Sequence, residues 1–172
     1  LERIKKGQEK HLLALEDLAQ ALDLNVIPRR IEGFDISHIS GSDAVGSQVV
    51  FIDGMPAKHQ YRKYKIRSEE VIVGHSDDYL SIAEVLRRRF KRWSEFKKQG
   101  GKIEDLRHIH TSVLDTISIN DWPDLIMIDG GKGQLNKAIE VFEEIDLIDD
   151  ISICSLAKNR EEIFIPNNKN SL

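Results

Sequence analysis

A chain of 172 residues is long enough for one domain of roughly 150 residues and a short appendage. Hydrophobic residues make up 40%, enough for a core, and 31% are charged with a net charge of −4, so no global attraction to nucleic acid is expected. No apolar run approaches the ~20 residues of a membrane span, no signal peptide opens the chain, and the single cysteine, Cys154, excludes an internal disulfide, which together favour a reducing, cytoplasmic compartment and no membrane partner. The opening Leu1 and the polar, uncapped stop at 166–172 are what a piece of a longer chain is expected to have.

Residues 2–23 read as a helix, because Leu12, Leu15, Leu18, Ala19 and Leu22 recur at helical spacing and charges fill the other face. A packing or linker role is expected of it. Pro28 favours an extended entry into the next strand, so 1–28 form a lead-in, 29–166 the main domain and 167–172 a tail. Arg30–His38 alternates as a strand, with Phe34, Ile36 and His38 on one face and Gly33, Asp35 and Ser37 on the other. Val45–Ile52 is a second strand, rich in β-branched residues. Asp53-Gly54 is a hairpin signal, and Lys58–Ile66 is expected as a third, strongly basic strand carrying Arg62, Lys63 and Lys65, with Arg67 just beyond it.

Ser76-Asp77-Asp78 resembles a helix start, with acids near the positive end of the helix dipole. The helix is expected over 78–96, its apolar stripe running from Tyr79 to Trp93 and its second half crowded with Arg87, Arg88 and other cations. Residues 102–121 are expected as a short helix or an ordered insertion, the insertion being bounded at about 100–121. Leu125–Asp129 is a buried strand, 136–144 a helix, 151–157 a last short strand, and Glu162–Ile165 a further apolar segment. The order β-β-β-α-β-α-β predicts an α/β fold: a mixed sheet with helices on its faces.

Two carboxylates break the local rules. Asp129 ends an apolar strand, where a carboxylate is expensive unless solvated, paired or metal-bound, and where α/β sheets open their ligand crevices. The alternative is that it caps the following turn or helix. Asp35 stands mid-strand between Phe34 and Ile36, where aspartate is depleted, and Gly33 on the same face leaves room for something to approach. Strand carboxylates without a Cys/His ligand cluster favour a hard cation, Mg²⁺ or Mn²⁺, over zinc. Asp78 is a candidate third carboxylate or an ordinary dipole partner. Gly130-Gly131-Lys132-Gly133-Gln134 could cradle a phosphate but lacks Walker A spacing. Arg62, Lys63, Arg87, Arg88, Lys132 and Lys158 are candidates to hold a nucleic-acid backbone, or else solvated charges. Alternation turns His38 away from Asp35, so a supporting role is expected of it.

Ile31–His38, Ser76–Phe90, Pro123–Leu135, and Leu156-Ala157-Lys158 with Glu161–Phe164 together resemble, in order and spacing, the C-terminal endonuclease domain of the bacterial excision-repair nuclease UvrC. The resemblance implies a ribonuclease-H-like fold and an Mg²⁺-dependent cut of a damaged DNA strand on the 5′ side of the lesion. It implies Asp35 and Asp129 as catalytic, metal-holding carboxylates and Asp78 as a further essential acid. It also implies damaged double-stranded DNA, UvrB and the rest of the excision complex as partners of the longer chain. In the family a histidine on a helix after the last strand completes the site. That helix lies beyond Leu172, so weak or absent activity is expected of the isolated chain. A ribonuclease-H-like module that only binds nucleic acid or protein is the alternative, and a nucleotide-binding enzyme built on the glycine loop is a third.

Overall fold

A computed structural model describes residues 2–39, 43–68, 78–107, 122–158, 161–168 and 170–172. Helix α1 spans Glu2–Ala21. Strands β1 (Arg30–Ile39) and β2 (Asp43–Ile52) pair antiparallel along their whole length. Asp53 and Gly54 then take φ of 51° and 77°, the two positive angles of a type I′ turn, and a two-residue β3 (Met55–Pro56) folds back on β2. The single basic strand expected over 58–66 is instead divided. Lys58–Gln60 form a 3₁₀ turn, and only Arg62–Lys65, β4, returns to pair with β2. Pro56 ends the first return, since it has no N–H to give to a ladder.

Helix α2 covers Asp78–Lys98, α3 Ile103–Arg107 and α4 Lys132–Glu144, with strands β5 (Leu125–Asp129), β6 (Ile153–Ala157) and β7 (Glu162–Phe164) between and after them. β5 lies parallel to both β1 and β6, and β7 closes antiparallel on β6. The seven-stranded sheet runs β3-β2-β1-β5-β6-β7, with β4 also on β2. The expected mixed sheet with an antiparallel start is what forms. Ser76, Asp77 and most of the expected insertion (108–121) lie outside the described residues. Ile103, at its head, is buried in the core beside Trp122.

Alternation divides the sheet's two faces. Phe34, Ile126 and Ile128 face α2 and α4, meeting Ile82, Val85, Leu86, Phe90, Trp93, Leu135, Val141 and Phe142 in the main core. Burial of each such side chain stabilises by about 1.5–3 kcal/mol. Phe90 packs edge-on against both Trp122 and Phe142, at centroid distances of 5.8 and 5.1 Å. The opposite face is covered only in part. The end of α1 sets Leu18 and Leu22 against Ile31, Leu125, Met127 and Cys154, which covers the lower half of that face. Among the described residues, the upper half, where β1 and β5 carry Asp35 and Asp129, is left uncovered. Among the described residues no helix is long and apolar enough to cross a membrane.

Candidate metal centre and nuclease site

The parallel register of β1 and β5 runs from Ile31 opposite Leu125 to Phe34 opposite Ile128. One step further sets Asp35 beside Asp129, both on the face away from α2 and α4. The two carboxyl groups are close enough to hydrogen-bond one another. Gly33, Phe34, Ser47, Val49, Met127, Leu156 and Lys158 complete a pocket of about 290 Å³ around them. The room expected at Gly33 is already taken: a Cβ there would stand 2.8 Å from Val49 Cγ2, so the glycine serves the close packing of β2 on β1.

The electrostatics arise from this crowding. Desolvation by the pocket floor, followed by the hydrogen bond and charge of Asp129, holds the Asp35 carboxyl above the usual aspartate range, although its outer side is open to solvent. The Lys158 ammonium pairs with Asp129 and acts in the opposite direction on Asp35. Its own pKa is raised by that hydrogen bond to Asp129. Two carboxyl groups side by side, with the Lys158 ammonium paired to one of them, form a site suited to a hard cation. Asp35 and Asp129 fit Mg²⁺ or Mn²⁺, which bind through one or two carboxylates and keep waters in the remaining positions. Among the described residues no group of three or more His, Cys, Asp or Glu side chains converges, so these two carboxylates are the whole acidic set that those residues offer.

The loop after β5 is built to hold Asp129 in place. Gly130 takes φ of 151°, and a Cβ there would fall 2.7 Å from Gln134 Cγ. The Gly130 N–H donates to Leu156 O at 3.0 Å, and the Gly131 N–H to Gln134 Oε1 at 3.1 Å. Gly131, not Asp129, is the N-cap of α4, and α4 starts at Lys132, four residues earlier than expected. Asp129 is therefore not the cap of this helix, and the first two amide donors of the expected phosphate cradle, those of Gly130 and Gly131, are already committed.

The remaining candidates separate by location. Asp78 opens α2 and meets His38 across the sheet edge, Oδ1 to Nε2 at 2.6 Å, with both side chains exposed. Asp78 is thus joined to His38 rather than to the Asp35–Asp129 pair. Arg87 grips Glu144 of α4 with three hydrogen bonds of 3.0, 3.2 and 2.6 Å. Arg88 bonds Glu84 and the Lys65 carbonyl and stacks over Tyr64. Both belong to the helix layer, behind the sheet as seen from the pocket. Arg62 pairs with Gln48, whose buried side chain faces α2, and bonds Tyr64. Lys63 points the other way, on the pocket side. Lys132 is exposed at the head of α4, three residues after Asp129. Lys158 is the one cation of the set in the pocket itself.

Glu32 is a residue that sequence reasoning does not single out. It is fully buried, and it accepts hydrogen bonds from Arg30, Arg89 and Gln48. Gln48 in turn accepts from the Tyr64 hydroxyl at 2.7 Å, and Arg30 donates to Gln60. This network fixes β1 against β2 and α2 one turn of the pleat below Asp35. A charge at an inward position of β1, facing Arg89 of a stripe that is otherwise apolar, is the available signal.

The family model described as "UvrC RNAse H endonuclease domain" matches residues 19–172. The UvrABC system protein C of Prochlorococcus marinus (strain MIT 9211) is 59% identical over 172 residues, which is 100% of this chain and 27% of that protein. The protein of the same name from Synechococcus sp. (strain CC9605) is 59% identical over 170 residues, covering 99% of this chain and 26% of its own length. The chain thus spans about a quarter of these curated relatives. Among solved structures, Ciona intestinalis endonuclease V bound to a DNA containing an inosine followed by a ribo-adenosine superposes with a TM-score of 0.39 at 14% identity, over 92% of this chain and 59% of the other. That superposition is too partial to assign any residue. Through its family match and its relatives, the chain belongs to the family of UvrC ribonuclease-H endonuclease domains.

Proposed function

We propose that this chain is the metal-dependent nuclease module of an excision system, hydrolysing a phosphodiester of damaged double-stranded DNA on the 5′ side of the lesion. The observation that carries this reading is the pairing of Asp35 with Asp129 at the open end of two parallel strands, with Lys158 on the rim. Asp35 and Asp129 would hold Mg²⁺ or Mn²⁺, which when bound lowers the pKa of a water and stabilises charge on the phosphate oxygens. Lys158 keeps Asp129 neutralised in the metal-free chain, and its side chain, 66% exposed, is free to turn toward a phosphate. The Gly130–Gln134 turn and the Glu32 network hold the two strands in register, so the carboxylates meet substrate already positioned. Asp78, paired with His38, is proposed as a further required acid that fixes the outer end of β1. The 5′ side, UvrB and the rest of the complex, and a cytoplasmic location come with the family resemblance.

The test uses the full-length protein with its partner subunits and a duplex carrying one lesion. Asp35→Asn and Asp129→Asn are each expected to abolish the 5′ cut while DNA binding survives. A 5′ cut persisting in either variant would show that the assignment is wrong.

A further inference from the structure

The sheet register extends the site beyond its carboxylates. Across the strands, Asp129 stands beside Asp35, Asp35 opposite Ser47, and Ser47 opposite Lys63. Residues paired across a ladder project to the same side, so Lys63 shares the pocket's face. One row outward, Ser37 pairs with Val45 and Val45 with Lys65, which puts Lys65 on that face too. Both lysines are exposed, and among the described residues neither ammonium has a carboxylate partner. The cations of the helix layer differ, since Arg87 is held by Glu144, Arg88 by Glu84 and Arg89 by Glu32. Two strand spacings separate Lys63 from Asp35, about 10 Å. Along β4, Lys63 and Lys65 are about 6.8 Å apart, on the order of one phosphate-to-phosphate step along a strand, whose path winding around the duplex is longer than its ~3.4 Å axial rise.

We infer that Lys63 and Lys65 form a positioning ladder for the DNA strand being cut, gripping neighbouring phosphates on the β4 side of the one over Asp35 and Asp129. This inference rests on the nuclease reading above and names the path of the substrate across that same site. Lys63 and Lys65 contact backbone phosphates only, so they set affinity and register without reading sequence. Arg62, between Tyr61 and Lys63 in the chain, contributes nothing to this path because its side chain leaves β4 on the helix side.

The test measures DNA affinity of the chain for a labelled duplex between about 50 and 200 mM salt, the range over which phosphate contacts are read out. Lys63→Gln with Lys65→Gln is expected to flatten the slope of log affinity against log salt by about 2, one for each phosphate no longer neutralised. A charge-matched pair on the helix side, Arg62→Gln with Arg87→Gln, is expected to leave the slope where it was. Mn²⁺ binding, followed by electron paramagnetic resonance, is expected to be unaffected in both pairs and lost in Asp129→Asn. Equal slopes for the lysine pair and the unsubstituted chain, or equal losses for the two pairs, overturn the inference while leaving the metal site standing. The same holds if the chain binds Mn²⁺ yet shows no salt-dependent DNA binding. Mn²⁺ binding that survives Asp129→Asn overturns the nuclease reading itself.

Discussion

Replacing Glu32 with alanine tests how β1 is held. The carboxylate is 0% exposed, and the side chains of its partners Arg30 and Arg89 are 10% and 6% exposed. Glu32 accepts five hydrogen bonds: from Arg30 Nε and Nη2 at 3.0 and 2.8 Å, from Arg89 Nε and Nη2 at 3.0 and 2.7 Å, and from Gln48 Nε2 at 2.9 Å. Summing five bonds to charged groups would overcount, because they share one acceptor group and each stabilises the others. The better measure is removal of one member of a buried ion pair, which costs about 3–5 kcal/mol because its partners remain buried and unpaired. For a domain of this size that corresponds to a fall in Tm of about 6–20 °C. The exposed pair Arg29–Asp53, with side chains 70% and 53% exposed, is worth no more than about 1 kcal/mol, so Asp53→Asn serves as the contrast. The assay is urea and thermal unfolding of both variants, followed by circular dichroism. A loss below about 1 kcal/mol for Glu32→Ala, comparable with that of Asp53→Asn, would refute the reasoning, since a buried network cannot be so cheap to break.

Three further outcomes are expected. Because the folded state raises the Asp35 carboxyl through desolvation and the neighbouring Asp129, the native chain keeps a proton there that the unfolded chain has lost. Its contribution to stability therefore falls as pH rises from the ordinary aspartate range, about 3.9, through the raised value. Asp35→Asn should stabilise the metal-free protein at neutral pH and not at strongly acidic pH, read by unfolding in chelator. A pH-independent difference, or a loss at neutral pH, counts against the carboxylate pair. Gly130→Ala should cost about 1–3 kcal/mol, because φ of 151° and the Gln134 side chain both exclude a Cβ; unchanged unfolding would show that the turn relaxes freely. Burial pushes the Cys154 thiol up to about 12, so it should resist thiol reagents in the folded chain at mildly alkaline pH and react on unfolding. Rapid labelling of the folded protein would contradict the packing of α1 on the sheet.

Much of this arrangement is legible in the sequence because its signals are local. The alternation of Arg30–His38 assigns Asp35 and His38 to opposite faces, and the ladder between β1 and β2 keeps them there. The apolar run Leu125–Asp129 reads as a strand ending in a carboxylate, and it is one. What escapes the sequence depends on tertiary pairing. The run 58–66 has the composition of one strand, yet Pro56 and the turn at Lys58–Gln60 leave only Arg62–Lys65 to pair. Nothing local distinguishes Lys63 from Arg62; only the register with Ser47 and Gln48 sends one to the pocket and the other to α2. Sequence pattern sets the start of α4 too late because glycines 130, 131 and 133 suggest a turn. Gln134 caps from within the helix instead, and Gly133 allows Tyr79 of α2 to pack close. Asp78 reads as a helix-start acid, but its bond to His38 requires knowing where β1 ends.

The most direct test of the metal site is a crystal structure of the chain soaked in Mn²⁺, with the ion located by its anomalous scattering. One peak is expected at about 2.1 Å from a carboxylate oxygen of Asp35 and from one of Asp129, with the Lys158 ammonium moved off Asp129. A peak elsewhere, or none with Lys158 still paired to Asp129, would contradict a metal held by this carboxylate pair.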